Sequence, residues 1–268
     1  MYRRDPVVTN PLRIAAAQFP VSGDVARNAR FIETQMKAAA KQAAQVVHFP
    51  ESALPGYAPK HLGPLEQYDW SRLGEYSLSI QELASSLGIW VILGSMRKAK
   101  SGPPANCTIV ISKTGATEAV YDKRHLYGAE ERHYSSGSSP CVVDIEGFKC
   151  GFLICYENCF PHLYREYRES GVELVFHSFY NAANPHPTTI QDLMYASLLV
   201  RAADNQLWIS ASNSSESYSP LPACVVRPDG SAVRARRNVT GLALDDFPSA
   251  ELGWTYDTRE FESRLAED

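Results

Sequence analysis

The sequence predicts an α/β fold built as a four-layer α-β-β-α sandwich, two sheets face to face with helices on both outer faces. Three observations predict it. Short apolar runs of strand length alternate with longer segments of helical period. The same order of strand, helix, strand, helix, strand and hairpin occurs twice, an internal pseudo-two-fold repeat. Each half closes on a hairpin at the same place, around "KTG" (113–115) and "PDG" (228–230).

In the first half, "RIAAAQF" (13–19) is a short apolar run and reads as a buried strand. Segment 23–44 is rich in good helix formers at helical spacing, with Asp24 as its N-cap. "QVVHFPE" (45–51) is the next strand, stopped by Pro50; 77–88 is a helix closed by Gly88, and 89–97 a strand. The hairpin 107–123 follows. The second half runs through strand 149–155, helix 160–171, strand 172–179, a long amphipathic helix 186–205, strand 206–213 and hairpin 222–235. Strands joined through a helix must run parallel, because only a long crossover returns the chain to the same edge. No stretch reads as a linker, so one domain is expected over 11–250, flanked by an N-terminal arm (1–10) and a C-terminal tail (251–268).

The formal net charge of −4, from 26 basic and 30 acidic residues, argues against nucleic acid or an anionic membrane as the main partner. No apolar run is long enough to span a bilayer, and no signal-peptide core follows the basic N-terminus. Its six cysteines form no C-x-x-C pair and read as reduced thiols, so a cytoplasmic protein is expected.

Active groups in such folds gather at the carboxyl ends of strands. Three segments end there with chemistry-bearing residues: Glu51, Lys123 and Cys155. Cys155 follows a buried strand and precedes a helix, whose N-terminus would favour a thiolate. Cys159 falls inside that helix and reads as a packed core residue. Singly, each has an ordinary explanation: a core thiol, a loop carboxylate, a surface lysine. Together they supply the roles of acyl transfer. The thiol attacks, Glu51 takes its proton, and the Lys123 ammonium with the Tyr156 backbone N–H meets the developing oxyanion. A second carboxylate would balance the lysine.

The blocks "FPESALPGY", "YDKRHLYGAEERHYSSG" and "GFLICYENCFPHLYREYRESGVELV" resemble the three signatures of the nitrilase superfamily, the carbon–nitrogen hydrolases. Their order and spacing match from "RIAAAQF" to "GLALDDF". The resemblance implies the α-β-β-α sandwich, a Glu–Lys–Cys triad at Glu51, Lys123 and Cys155, no metal and no organic cofactor. It also implies a further glutamate after the lysine, placed at Glu131 in preference to Glu130. Two departures leave the substrate open: Glu157 stands where the family often has aspartate, and Ala223–Cys224 where many members have glycine and serine.

The expected reaction is hydrolysis of a small amide to a carboxylic acid through a Cys155 thioester, with nitrile hydrolysis and N-carbamoyl or ω-amide hydrolysis as alternatives. Substrate-binding candidates are Tyr57, Tyr127, Tyr156, Tyr180 and Asn181, the last two within the segment "FYNAANPH" (179–186). No arginine in that segment could clamp a substrate carboxylate, which favours a small neutral aliphatic amide. A Cys–His hydrolase, a zinc site and a non-catalytic scaffold are weaker readings: no histidine adjoins Cys155, and paired metal-ligand spacings are missing. A homodimer or higher homo-oligomer is expected, through the helices at 160–170 and 186–204.

Overall fold

The computed structural model describes residues 11–99, 101–181 and 189–248. The expected arm, the expected tail and most of the segment 179–186 lie outside them. Twelve strands and five α-helices are described: β1 (Leu12–Phe19), α1 (Val25–Lys41), β2 (Val46–His48), α2 (Ala58–His61), α3 (Trp70–Leu87), β3 (Trp90–Arg97), β4 (Ala105–Ile111), β5 (Thr117–Asp122), β6 (Val142–Ile145), β7 (Phe148–Ile154), α4 (Pro161–Glu169), β8 (Leu174–Ser178), α5 (Thr189–Asn205), β9 (Trp208–Ser214), β10 (Cys224–Val226), β11 (Ala232–Arg234) and β12 (Gly241–Phe247).

The caps explain where the main helices start and stop. Asp24 accepts from the N–H groups of Ala26 and Arg27 at 2.9 and 3.2 Å and opens α1. Asp69 does the same for α3 through Arg72 N–H at 3.0 Å, so that helix begins earlier than the residue 77 expected from periodicity. Gly88 ends it with φ of +65°, a conformation glycine adopts without strain.

Two sheets form in the order β5-β4-β3-β2-β1-β12 and β11-β10-β9-β8-β7-β6. In each, three parallel strands carry an antiparallel hairpin on one side and one antiparallel strand on the other. The two lists correspond strand for strand, which is the pseudo-two-fold repeat. The sheets meet where β1 and β9 pair in parallel, Gln18 with Asn213 and Phe19 with Ser214.

Side chains on a strand point alternately to opposite faces. On β1, Ala15, Ala17 and Phe19 join a cluster with Ala29, Ile32 and Met36 of α1 and Ile80 of α3. Ile14 and Ala16 point the other way, into a cluster with Phe152, Leu174, Phe176 and Val225 of the opposite sheet. Leu153, Val175 and Ile209 then face Leu163 and Tyr167 of α4 and Leu198 of α5. Three apolar interfaces thus separate four layers, α-β-β-α. Among the described residues no helix is long and apolar enough to cross a membrane.

Candidate active site

The carboxyl ends of β2, β5, β7 and β8 converge. After β2 the chain turns sharply through Phe49–Ser52, and the turn lies on β3 at Gly94. A Cβ there would stand 1.8 Å from the Pro50 carbonyl oxygen, so only glycine admits the approach. The turn brings Glu51 inside, 1% exposed. Lys123, one residue past β5, is equally buried at 1%. Its ammonium donates to Glu51 Oε1 at 2.8 Å and to Glu130 Oε1 and Oε2 at 2.9 and 2.8 Å.

The second carboxylate is therefore Glu130, and the expectation of Glu131 is corrected. Residues 130–132 form one 3-10 turn, so neighbouring side chains point in different directions. Glu130 points inward, fully buried, and also accepts Tyr127 N–H at 2.7 Å and Asn106 Nδ2 at 3.2 Å. Glu131 is exposed. Glu130→Gln is expected to lower kcat/KM by about 10²-fold or more, whereas Glu131→Gln should stay within about twofold of the parent, as surface changes do. Parallel steady-state assays of the two variants check this; damage at Glu131 alone would reverse the assignment.

Cys155 directly follows β7 with a φ of +46°, a left-handed conformation rare outside glycine. Such strain, of order 1–3 kcal/mol, concentrates at functional sites. The chain then makes a five-residue 3-10 turn, Cys155–Cys159, and α4 starts only at Pro161. The helix expected at 160–171 is present as α4 but does not begin directly behind the thiol, and Cys159 is exposed before it instead of packed within it. A low-dielectric setting and the nearby Glu51 charge hold the Cys155 thiol pKa well above its ordinary value. The thiol form is favoured over the thiolate.

Tyr180 joins Glu51 and Cys155 through one residue's backbone. Its N–H donates to Glu51 Oε2 at 3.0 Å, and its carbonyl accepts the Cys155 thiol at 3.8 Å. Asn106 Nδ2 donates to Glu51 Oε1 at 2.8 Å. Burial raises the Glu51 pKa, against the pull of Lys123. The two carboxylates outweigh burial at Lys123 and keep its pKa raised, so it stays charged.

The substrate-binding candidates separate. The Tyr57 ring stacks on that of Tyr180 at 4.8 Å, and burial followed by the Glu51 and Glu130 charges pushes its phenol pKa up, which places it beside those carboxylates. The Tyr180 hydroxyl is already engaged: it donates to Glu216 at 2.6 Å and accepts from Lys60 at 2.7 Å, with His61 Nε2 at 3.2 Å. Tyr127 is 54% exposed, and its ring meets Tyr156 edge-on at 5.6 Å. Asn181 accepts from Asn213 at 2.5 Å and contacts Met194.

Sequence reasoning missed Asn106, Glu157 and the rim group Lys60, His61 and Glu216. Asn106 sits on a buried strand as a polar residue in "ANCTIVI", a signal that could have marked it. Lys60 and His61 come from the four-residue α2 and Glu216 from a loop, and none carries such a signal.

These features gather a thiol, two carboxylates and a lysine on an α-β-β-α scaffold, and the comparisons with known proteins place that scaffold in a family. Residues 13–253 match the carbon–nitrogen hydrolase family model, and the chain belongs to that family. It is 33% identical over 172 residues to a Mycobacterium tuberculosis protein named as a hydrolase, a match covering 61% of this chain and 59% of that one. It is 28% identical to the 2-oxoglutaramate amidase of Bacillus subtilis, over 75% of each chain. An amidase of Nesterenkonia, described as belonging to the nitrilase superfamily, shares the fold, with a TM-score of 0.77 at 23% identity over 95% of this chain and 96% of that one.

Proposed function

We propose that this protein hydrolyses a small, non-peptide amide through a Cys155 thioester. The observation that carries the reading is Lys123, buried between Glu51 and Glu130 at the strand ends that also hold Cys155. Glu51 takes the thiol proton as sulfur bonds to the carbonyl carbon. Lys123 and the Tyr156 N–H hold the oxyanion. Glu130 accepts two of the lysine's three N–H bonds, so one can turn to the oxyanion while Glu130 keeps the other. Glu51 then returns its proton to the nitrogen as the C–N bond breaks, releasing ammonia or an amine. Water attacks the thioester, gives its proton to Glu51, and the acid leaves as the thiol is restored.

Two relatives with amidase names support the reading, as do Nesterenkonia amidase structures described with adducts at the active-site cysteine. The ammonium at the rim, Lys60, is paired with Glu216 at 3.1 Å, which leaves a neutral acyl group as the favoured substrate. Names of the 2-oxoglutaramate and omega-amidase type make ω-amides of dicarboxylates the second reading. Ammonia release from butyramide, a dicarboxylic monoamide and butyronitrile, assayed side by side, tests the order; a nitrile turned over fastest would overturn it.

We further propose that the protein is a homo-oligomer paired through α5. Leu193 and Val200, seven residues apart on one face of that helix, are 60% and 47% exposed. Light scattering should give a multiple of the 29.7 kDa chain mass, reduced by Leu193→Glu; a monomeric parent would contradict this.

A further inference from the structure

A third carboxylate is buried near the site and takes no part in these steps. Glu157 is 0% exposed. Its Oε1 accepts Arg124 N–H at 2.8 Å and His125 N–H at 3.2 Å. Its Oε2 accepts Ile154 N–H at 2.7 Å. The buried Tyr121 hydroxyl reaches both oxygens, at 2.8 and 2.9 Å. Arg124 and His125 directly follow Lys123, and Ile154 directly precedes Cys155. One side chain therefore holds the backbone just beyond the lysine and just before the cysteine. Arg124 extends the hold to α4, through an ion pair with Glu166 at 2.8 Å.

The geometry demands this residue type. All four groups are donors, so both oxygens must accept, as an ionised carboxylate does. An amide would turn its NH₂ toward an N–H and lose one side of the grip. Aspartate is one methylene shorter, about 1.5 Å, and cannot reach both sides unless the lysine segment or the cysteine turn moves. Burying a carboxylate is costly, and an apolar residue would serve packing alone.

We infer that Glu157 is a positioning residue: it sets the separation of the Lys123 ammonium from the Cys155 sulfur by gripping the backbone beside each. The inference rests on the roles proposed above for those two residues. It goes beyond them in giving their spacing a single determinant, outside the triad and outside the reach of substrate. Misplacement of catalytic groups by about 1 Å can cost on the order of 10²-fold in rate.

The test compares Glu157→Gln, Glu157→Asp and Tyr121→Phe in the full-length chain, with Cys155→Ala as reference. Three quantities are read: kcat and KM on the best amide of the panel, the pH profile of Cys155 alkylation by iodoacetamide, and the thermal midpoint. Glu157→Gln is expected to lose about 10²-fold in kcat, with KM little changed and the alkylation profile displaced. Tyr121→Phe removes one donor but keeps the backbone grips. It should lower the thermal midpoint while kcat stays within about threefold. Should the glutamine variant not fold, Glu157→Asp, with a residue common at this position in the family, carries the same expectation in milder form. Activity lost by the Glu157 variants only in proportion to the unfolded fraction, with an unshifted alkylation profile, would overturn the inference. An inactive Cys155→Ala beside unaffected Glu157 variants overturns the inference alone. Turnover surviving in Cys155→Ala overturns the reading of the site, and this inference with it.

Discussion

Cys155→Ala is expected to abolish amide turnover, with a loss of at least about 10³-fold in kcat/KM and a larger one where the assay background permits. The fold should survive. Alanine keeps the Cβ that already tolerates φ of +46°, and the hydrogen bond lost with the sulfur is the long one to the Tyr180 carbonyl at 3.8 Å. A thermal midpoint within a few degrees of the parent, measured on the inactive sample, would separate lost chemistry from lost structure. Substantial turnover in purified Cys155→Ala would end the thioester reading.

Lys123→Met is the second large effect, and it strikes both activity and stability. The ammonium is 1% exposed and is the buried cation between Glu51 and Glu130. Removing one partner of a buried ion pair typically costs about 3–5 kcal/mol, because the remaining charge is left uncompensated. Here two carboxylates would face each other. One of them should bind a proton, and Glu51 in that state cannot accept one from Cys155. Loss of an oxyanion donor adds about 10²–10³-fold in rate. The variant should thus show a clear fall in thermal midpoint and a kcat/KM below that of Glu130→Gln, which keeps the ammonium. A stable, active Lys123→Met would mean the lysine is a structural counter-ion only.

The layers and the repeat were legible because their signals are periodic. Alternation along "RIAAAQF" sends Ala15 and Ala17 to the helices and Ile14 and Ala16 to the opposite sheet, and "KTG" and "PDG" mark both hairpins. β6 and β12 went unseen. "VVDI" is four residues and largely exposed, and β12 belongs to β1 only through a partner more than 200 residues away in sequence. Glu51, Lys123 and Cys155 were legible as residues at strand ends, and the structure brings Glu51 and Lys123 into direct contact. The choice between Glu130 and Glu131 was not legible. It depends on which way a single 3-10 turn faces, and the two positions carry the same residue type. The surroundings of Cys155 were not legible for a related reason. A helix after a strand suggested a helix end at the sulfur, favouring a thiolate or an oxyanion, whereas the chain inserts a short 3-10 turn and sets the sulfur near Glu51 and the Tyr180 carbonyl. Glu157 drew notice only as a departure from the family pattern; its partners Tyr121, Arg124 and His125 lie some 30 residues away in sequence.

The central claim is a covalent acyl group on Cys155. The most direct measurement is rapid acid quenching during turnover of an amide, followed by intact mass and peptide mapping. The account predicts a mass increase equal to the acyl group, located on the peptide containing Cys155, removed by hydroxylamine and missing in Cys155→Ala. Turnover with no adduct at any quench time after slowing the reaction by Glu130→Gln, or an adduct located on Cys159 in its place, would contradict it.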